Sequence, residues 1–414
     1  MKLPKYSIGT GDRFGQQGKA LLSAVMKARQ YGIKLAIVWN KSNREHTIIN
    51  TKPQDVFIEA KNAVNELNYS GKYFIDADHI GYSNVDSFIE YSNYFTIDVA
   101  EFIGKKAPKE DLNLFLEKCN SYIGELKIPN INAPLEIDSK QIHLIAEKYL
   151  LAIKEAGKIY RKIEKNKGVN NFITEISIDE TDSPQNPLEI LFILYAIANE
   201  KIPIQTIAPK FTGSFIKGID YIGDINRFTE EFRNDLAIIK FAIKEFSLPT
   251  NLKLSIHSGS DKFSLYEPIN KAIKNFNTGV HLKTAGTTWL EELIGLALAG
   301  NDGLSIVKQI YNKAFKRYNE LRKPYAGVIN VDQDKLPKPQ NVKNWPSKEF
   351  VNALQNDPNN KNFNPHFRQL LHIAYKIAAE MGKKFLNALK RHELIISEHV
   401  TFNIYERHIK NLFY

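Results

Sequence analysis

Cysteine is nearly missing: Cys119 stands alone among 414 residues. No intrachain disulfide and no zinc site built from several thiolates can form, and a reducing cytoplasm is the expected setting. Long apolar runs are missing too. No stretch reaches the ~18 uninterrupted apolar residues of a membrane span, and the opening Met1-Lys-Leu-Pro-Lys-Tyr6 carries no apolar signal core. Secretion and membrane insertion are not expected. The chain also lacks internal repeats, low-complexity tracts and any run of five or more Lys/Arg. Lys plus Arg number 56 against 46 Asp plus Glu, a net charge of +10 that by itself does not choose between nucleic acid, an anionic surface and a small acidic substrate. The densest basic stretches, 158–167 and 313–323, interleave with apolar residues at helical spacing, as solvated helix faces do. A nucleic-acid partner is therefore not expected. What is present is 43% hydrophobic and 11% aromatic residues, enough to bury a full-sized core.

Short β-branched and aromatic runs alternate with segments of helical periodicity, the pattern of a parallel sheet wound with helices. Eight such runs occur, at 6–9, 34–39, 73–78, 94–98, 172–176, 204–208, 252–257 and 280–283. Helices are predicted over 17–31, 53–67, 186–199, 229–246 and 266–276. Eight strands with crossovers predict a (β/α)8 barrel, or TIM barrel. The gap between the fourth and fifth runs is too long for one crossover, so 101–171 reads as a helical insertion, with helices near 110–122 and 139–164. Residues 1–322 are expected to form the barrel domain, closed by a long helical stretch up to about Arg322. Residues 323–414 are expected to add a Pro-, Asn- and Asp-rich loop to about Asp357 and a helical extension packed on the barrel.

Barrel enzymes carry their chemistry at the C-terminal strand ends. Seven of the eight runs end in ionisable groups. The first opens into Gly9-Thr-Gly11-Asp12-Arg13-Phe-Gly15, the third ends Asp76-Ala-Asp78-His79, and the fourth ends at Asp98. The fifth supplies Glu175, Asp179 and Glu180, and the sixth Lys210 and Ser214. The seventh runs into His257-Ser-Gly-Ser-Asp-Lys262 and the eighth into His281-Leu-Lys283. Of ten histidines only His79, His257 and His281 stand at such ends; six others fall in helical pattern and His46 in a connecting loop. Imidazoles converging from three strands, with carboxylates nearby, suit a divalent ion such as Zn²⁺, Mn²⁺, Fe²⁺, Co²⁺ or Ni²⁺. The Gly9-x-Gly11-x-x-x-Gly15 spacing is wrong for a dinucleotide fingerprint. It reads either as a plain turn or as a turn that presents Arg13 to an anion. No nicotinamide or other organic cofactor is expected.

Several long segments resemble the tagaturonate epimerases of bacterial hexuronate catabolism. They are Tyr6-Ser-Ile-Gly-Thr-Gly-Asp-Arg-Phe-Gly-Gln-Gln-Gly18, Tyr73-Phe-Ile-Asp-Ala-Asp-His-Ile80, Ala208-Pro-Lys-Phe-Thr-Gly-Ser214, Leu254-Ser-Ile-His-Ser-Gly-Ser-Asp-Lys262 and His281-Leu-Lys-Thr-Ala-Gly-Thr-Thr-Trp-Leu-Glu-Glu292. The resemblance covers most of the chain. It implies a metal-dependent isomerase that interconverts D-tagaturonate and D-fructuronate, distantly similar to class II sugar aldolases. Carried over residue by residue, it implies Asp78 as proton acceptor, Glu175 as proton donor, and His79, His257 and His281 as metal ligands. Asp76, Asp179 and Glu180 lie close enough in sequence to compete for the role of Glu175, and His281 is either a ligand or a substrate contact. Arg13, Lys210, Lys262 and Lys283 are the candidate cations for the sugar's carboxylate. The chain starts almost at its first strand, so an N-terminal extension over the barrel is expected to be missing.

The implied chemistry matches these residue types. The two sugars differ at a carbon β to the ketone, whose C–H is not acidic. A retro-aldol route avoids that C–H: a carboxylate takes the hydroxyl proton of the inverting carbon and the C–C bond opens to an enediolate and an aldehyde. Rotation of the aldehyde and re-closure invert the centre. The rival readings are an aldolase or epimerase of another ketose on the same barrel, and a basic module for nucleic acid or anionic polysaccharide.

Overall fold

The computed structural model describes residues 1–357 and 359–414. Eight parallel strands close a barrel: β1 (Tyr6–Thr10), β2 (Leu35–Ser42), β3 (Tyr73–Ile80), β4 (Tyr94–Asp98), β7 (Ile173–Ile178), β8 (Thr206–Pro209), β9 (Lys253–His257) and β10 (Val280–Lys283). Their order around the barrel is β1-β10-β9-β8-β7-β4-β3-β2. A separate antiparallel hairpin, β5 (Gly124–Leu126) with β6 (Leu135–Ile137), was not expected from the sequence. Every predicted run forms a barrel strand, and the second and third run further than expected, to Ser42 and Ile80. They extend because the polar residues at their ends find partners inside the barrel, as Asn40 does by donating to Asp76 at 2.8 Å.

Alternation along the strands divides the core in two. Ile8, Ile37, Trp39, Ile75, Ile97, Ile176, Leu254 and Leu282 face the helices and join the main cluster. Leu3, Ala36, Val38, Phe74, Tyr94 and Ile173 form a separate plug that fills the interior at its N-terminal end. In β3 this means that Phe74, Asp76 and Asp78 turn inward while Ile75 and Ala77 turn outward. The apolar plug thus lies beneath a polar layer.

Helix Ser139–Lys167 is the barrel's own crossover between β4 and β7, packed on β4 and on helix Pro187–Asn199. Of the insertion expected over 101–171, only the segment from Ala100 to Ile137 stands outside the regular crossover. Its buried stripe, with Ile142, Ala146, Tyr149, Ile153, Ala156 and Ile163, follows the helical period. The predicted long helix after Trp289 is broken at Gly300 (φ 69°), giving helices Thr287–Leu298 and Asn301–Lys316. The predicted loop at 323–357 contains two short helices, Pro339–Asn344 and Ser347–Leu354. His46 lies in a helix, Asn43–Ile49, and not in a loop. Ser42 caps that helix and Glu45 completes a capping box.

The C-terminal helices cover helix Thr287–Leu298 on most of its sides. A Cβ on Gly295 would come within 2.8 Å of the Ile396 Cα, so glycine permits this approach. The tightest link is ionic. Arg368 Nη2 meets Asp261 Oδ2 at 2.6 Å with both side chains out of water, and Arg368 also donates to the carbonyls of Gly218 and Leu354. Asn356 and Thr287 donate to the same carboxylate. Burial opposes ionisation of Asp261, but Arg368 and then His408 hold it below the usual carboxylate range. Arg368→Ala leaves that carboxylate uncompensated, and the expected cost is ~3–5 kcal/mol. Urea unfolding of the variant against the wild type measures it.

Candidate active site

The loops at the C-terminal ends of the strands enclose a cleft of about 590 Å³. Asp78, His79, Asp179, His257 and Lys283 line it, and so do Arg13, Arg44 and Lys217. A shallower groove of about 720 Å³, between Asp86 and Asn171, lies on the N-terminal side of β4 and β7, away from these groups.

At the centre is Lys283. Its Nζ lies 2.8 Å from Asp76 Oδ2, 2.8 Å from Asp78 Oδ1 and 2.9 Å from Glu175 Oε1. Burial works against its charge, but the three carboxylates raise its pKa well above the ordinary lysine value. The carboxylates respond differently. Burial pushes Asp76 up to about 7 despite the pull of Lys283. In Asp78 burial is outweighed by Lys283, His79 and His257, which bring it down to about 2. Glu175 is fully buried and held well below its usual range by Lys283 and His257. It also accepts from Tyr94 at 2.8 Å and Thr96 at 3.1 Å.

Asp78 and His79 are consecutive, and in a regular strand they would face opposite sides. Here the pairing with β4 slips between Ala77 and Ile80, and His79 takes φ 51°, a left-handed conformation that costs a non-glycine residue ~1–2 kcal/mol. The bulge turns both side chains into the cleft. His79 Nδ1 lies 3.3 Å from Asp98 Oδ2, and its Nε2 lies 3.9 Å from Asp78 Oδ1. From β9, His257 places Nε2 2.8 Å from Glu175 Oε1 and Nδ1 3.1 Å from Asp179 Oδ2. The two rings stand 5.2 Å apart. Burial would lower both imidazoles, but Asp78 and Asp98 raise His79 to about 10, and Asp179 and Glu175 raise His257 to about 9.

Ligand atoms of His79, Asp179 and His257 lie within 4.8 Å of one another, and those of His79, Asp98 and Glu180 form a second such group. His281 is brought to neither. It points into the barrel one layer below Lys283, fully buried, with Nδ1 2.9 Å from Ser7 Oγ and its ring against Tyr94, and burial lowers its pKa to about 3. A step of two residues along β10 moves a side chain ~6.6 Å down the strand, and Lys283 occupies the level at which the other two histidines meet.

The expected cations also separate. Lys262 does not line the cleft; its ammonium donates to the carbonyls of Ile216, Ile219 and Asp261 at 2.7–3.1 Å. Lys210 lines the cleft and donates to the Thr181 carbonyl. Arg13 lines it too, with Nε 3.0 Å from Glu45 Oε1. Sequence reasoning missed Arg44, Lys217 and Tyr325: Arg44 stands two residues past Ser42, the end of β2, which runs beyond the expected strand, and Lys217 and Tyr325 stand away from strand ends. Glu45 could have been found from the Ser42-x-x-Glu45 capping signature.

The fold and this mouth define a (β/α)8-barrel enzyme whose carboxylates, imidazoles and buried lysine can move protons on a small polar ligand. Residues 1–412 match the tagaturonate epimerase (UxaE) family. The tagaturonate/fructuronate epimerase of Thermotoga maritima is 28% identical over 417 residues, spanning 97% of this chain and 80% of the relative. A glycerol-complexed crystal structure of fructuronate-tagaturonate epimerase UxaE from Cohnella laeviribosi is similar at TM-score 0.80 and 25% identity, covering 100% of this chain and 82% of that one. The native crystal structure of that enzyme gives TM-score 0.78 at 24% identity, with coverage of 100% and 82%. The chain belongs to the tagaturonate epimerase family and is an isomerase of the epimerase type.

The histidine values set a pH dependence. Both are raised above the ordinary 6.5, so in metal-free protein their contribution to stability is full below pH 6.5. It declines as pH rises and is lost above about 9 for His257 and about 10 for His79. The urea midpoint of chelator-treated wild type should therefore fall between pH 7 and 10 by more than that of a His79→Gln/His257→Gln double variant. Parallel pH profiles would reject the assignment.

Proposed function

We propose that the chain interconverts D-tagaturonate and D-fructuronate in the cytoplasm, by retro-aldol opening and aldol re-closure at the inverting carbon. The observation that carries this reading is Asp78: an ionised carboxylate at the cleft floor, 2.8 Å from the Lys283 ammonium and beside the His79–His257–Asp179 group. An ionised carboxylate can accept the proton of a sugar hydroxyl, and the adjacent ammonium offers one in return.

The donor set suits a resident divalent ion. Glu175 engages Nε2 of His257 and Asp98 engages Nδ1 of His79, the outer partners that fix a ligating imidazole. This leaves Nδ1 of His257, Nε2 of His79 and the Asp179 carboxylate as ligand atoms. Two imidazoles and one carboxylate favour Zn²⁺, Mn²⁺, Fe²⁺, Co²⁺ or Ni²⁺. Such an ion would polarise the ketone and its neighbouring hydroxyl.

The protein's own groups divide the proton work. Asp78 takes the hydroxyl proton as the C–C bond opens. After the aldehyde rotates and the bond re-forms on the other face, Lys283 donates a proton to the new alkoxide and recovers one from Asp78 across their 2.8 Å contact. Glu175, implied by the family resemblance as the donor, is ionised and does not line the cleft. Its role in this scheme is to keep Lys283 charged and His257 oriented. An aldolase reading shares the cleavage step and differs only in releasing the aldehyde.

The test is ¹³C NMR of D-tagaturonate with chelator-treated enzyme, before and after Mn²⁺ or Zn²⁺ is restored. Fructuronate should appear only with metal. Metal-independent turnover would remove the ion from the reading, and free aldehyde fragments would replace epimerase by aldolase. Asp78→Asn should reduce kcat by ~10²–10⁴ while metal content by mass spectrometry is unchanged. His257→Ala should lose both metal and turnover, and metal retained at wild-type stoichiometry would reject His257 as a ligand.

A further inference from the structure

Most of the cations expected to hold the sugar's carboxylate are committed elsewhere. Lys262 is enclosed by carbonyls, Lys283 by three carboxylates, and Lys210 is bonded to Thr181. Arg13 is different. It is 5% exposed and its Nε is paired with Glu45, but its Nη1 is buried without an acceptor. Its guanidinium lies 4.2 Å over the Tyr375 ring.

Two further cations enter the same part of the cleft. The Arg44 guanidinium lies 5.2 Å from the Tyr325 ring, and Lys217 Nζ lies 5.9 Å from that ring. The Tyr325 and Tyr375 hydroxyls bond to each other at 2.5 Å, joining the two aromatic supports. Lys217 is fixed by its backbone N–H, which donates to the Val328 carbonyl at 2.9 Å. Among the described residues no hydrogen bond or ion pair engages the Arg44 guanidinium or Lys217 Nζ. Burial, then the charges of Arg13 and Arg44, push the Lys217 pKa below the ordinary lysine value, against Glu45 and Glu180. The buried Arg13, the half-buried Lys217 and the exposed Arg44, held on one aromatic pair, thus outnumber the two carboxylates that act on this side of the cleft, Glu45 and Glu180, of which Glu45 is paired with Arg13. An anion relieves that excess, and guanidinium groups offer it paired donors.

We propose that Arg13, Arg44 and Lys217, backed by Tyr325 and Tyr375, form the subsite for the carboxylate of the sugar acid. The inference rests on the hexuronate reading and deepens it. Asp78, His79, His257 and the three cations all line one cleft, so a sugar with its acid end here reaches the proton-transfer groups with its other carbons. Acid-sugar specificity then depends on Tyr325 and Tyr375, which lie in the C-terminal extension and not in the barrel.

The test compares D-galactonate with galactitol, an acid and a neutral polyol that lack the reacting ketone, by titration calorimetry. Wild type should bind galactonate well above galactitol. Lys217→Met and Arg44→Met should each weaken galactonate by about tenfold or more and leave galactitol unchanged, with KM for tagaturonate rising in step and kcat nearly constant. Lys217→Arg should restore most of the loss, and Lys240→Met, a charge removal on an exposed helix face, should change nothing. Both Met substitutions remove no hydrogen bond or ion pair and keep an apolar stem beside Tyr325, so melting midpoints should stay at the wild-type value; should either variant fail to fold, Lys217→Gln and the Arg rescue carry the comparison. The proposal is overturned if wild type does not prefer galactonate, or if galactonate and galactitol weaken together. Loss of galactonate binding in the variants of an enzyme that does not turn over tagaturonate would refute the epimerase reading and leave the anion subsite standing.

Discussion

The ammonium of Lys283 is the charge on which the mouth of the barrel depends. Asp76, Asp78 and Glu175 point inward from two strands and converge on it at 2.8–2.9 Å. Three carboxylates taken out of water would repel one another and drive their own protonation. One ammonium is too little to hold all of them and Asp179 as well. The rest of the positive charge comes from the imidazoles of His79 and His257, while burial raises Asp76 to about 7. Two imidazolium protons and one divalent ion carry the same charge, so the carboxylates that stabilise the first arrangement can stabilise the second. An acidic barrel interior and a histidine pair are in this sense two sides of one electrostatic balance.

That balance requires side chains from neighbouring positions to face the same way, which a regular strand forbids. The bulge at Ala77–Ile80 solves this for β3 by placing His79 in a left-handed conformation. Its strain persists because both ring nitrogens have carboxylates near them and Ile80 re-enters the sheet opposite Ile97. Strain, charge and position are therefore coupled at one residue.

Short β-branched and aromatic runs between helical segments made most of this readable in advance. That pattern located all eight strands, and the polar residues standing where the runs stop placed Asp78, His79 and His257 at one mouth. It failed for His281, because a place at a strand end does not say at which height along the barrel axis the side chain sits. It failed for Lys262 because a charge just past a strand end can turn aside to cap carbonyls, as this one does with Ile216 and Ile219. Arg44 was hidden because β2 runs on to Ser42, past the expected end of its run, and Lys217 and Tyr325 lie far from any strand end, so nothing in their spacing marks them. Asp179 was visible as a strand-end carboxylate, but its pairing with His257 depends on a contact 78 positions away in sequence.

The C-terminal extension belongs to the same argument. The loop after β9 begins at His257 and reaches Asp261 four residues later, where Arg368, Asn356 and His408 close on one buried carboxylate. Gly286 N–H donates to the Gly259 carbonyl in the middle of that loop, tying it to the end of β10 that carries Lys283. The position of His257 is thus constrained from the barrel side by Glu175 and from the outside by a clamp that the extension supplies. The same extension brings Tyr325 to the rim and stacks Tyr375 on Arg13. Removal of the extension takes the Arg368 cation from Asp261 and Tyr325 from the lining of the cleft. The covering helices thus reach the mouth of the barrel through one ion pair and one pair of tyrosines.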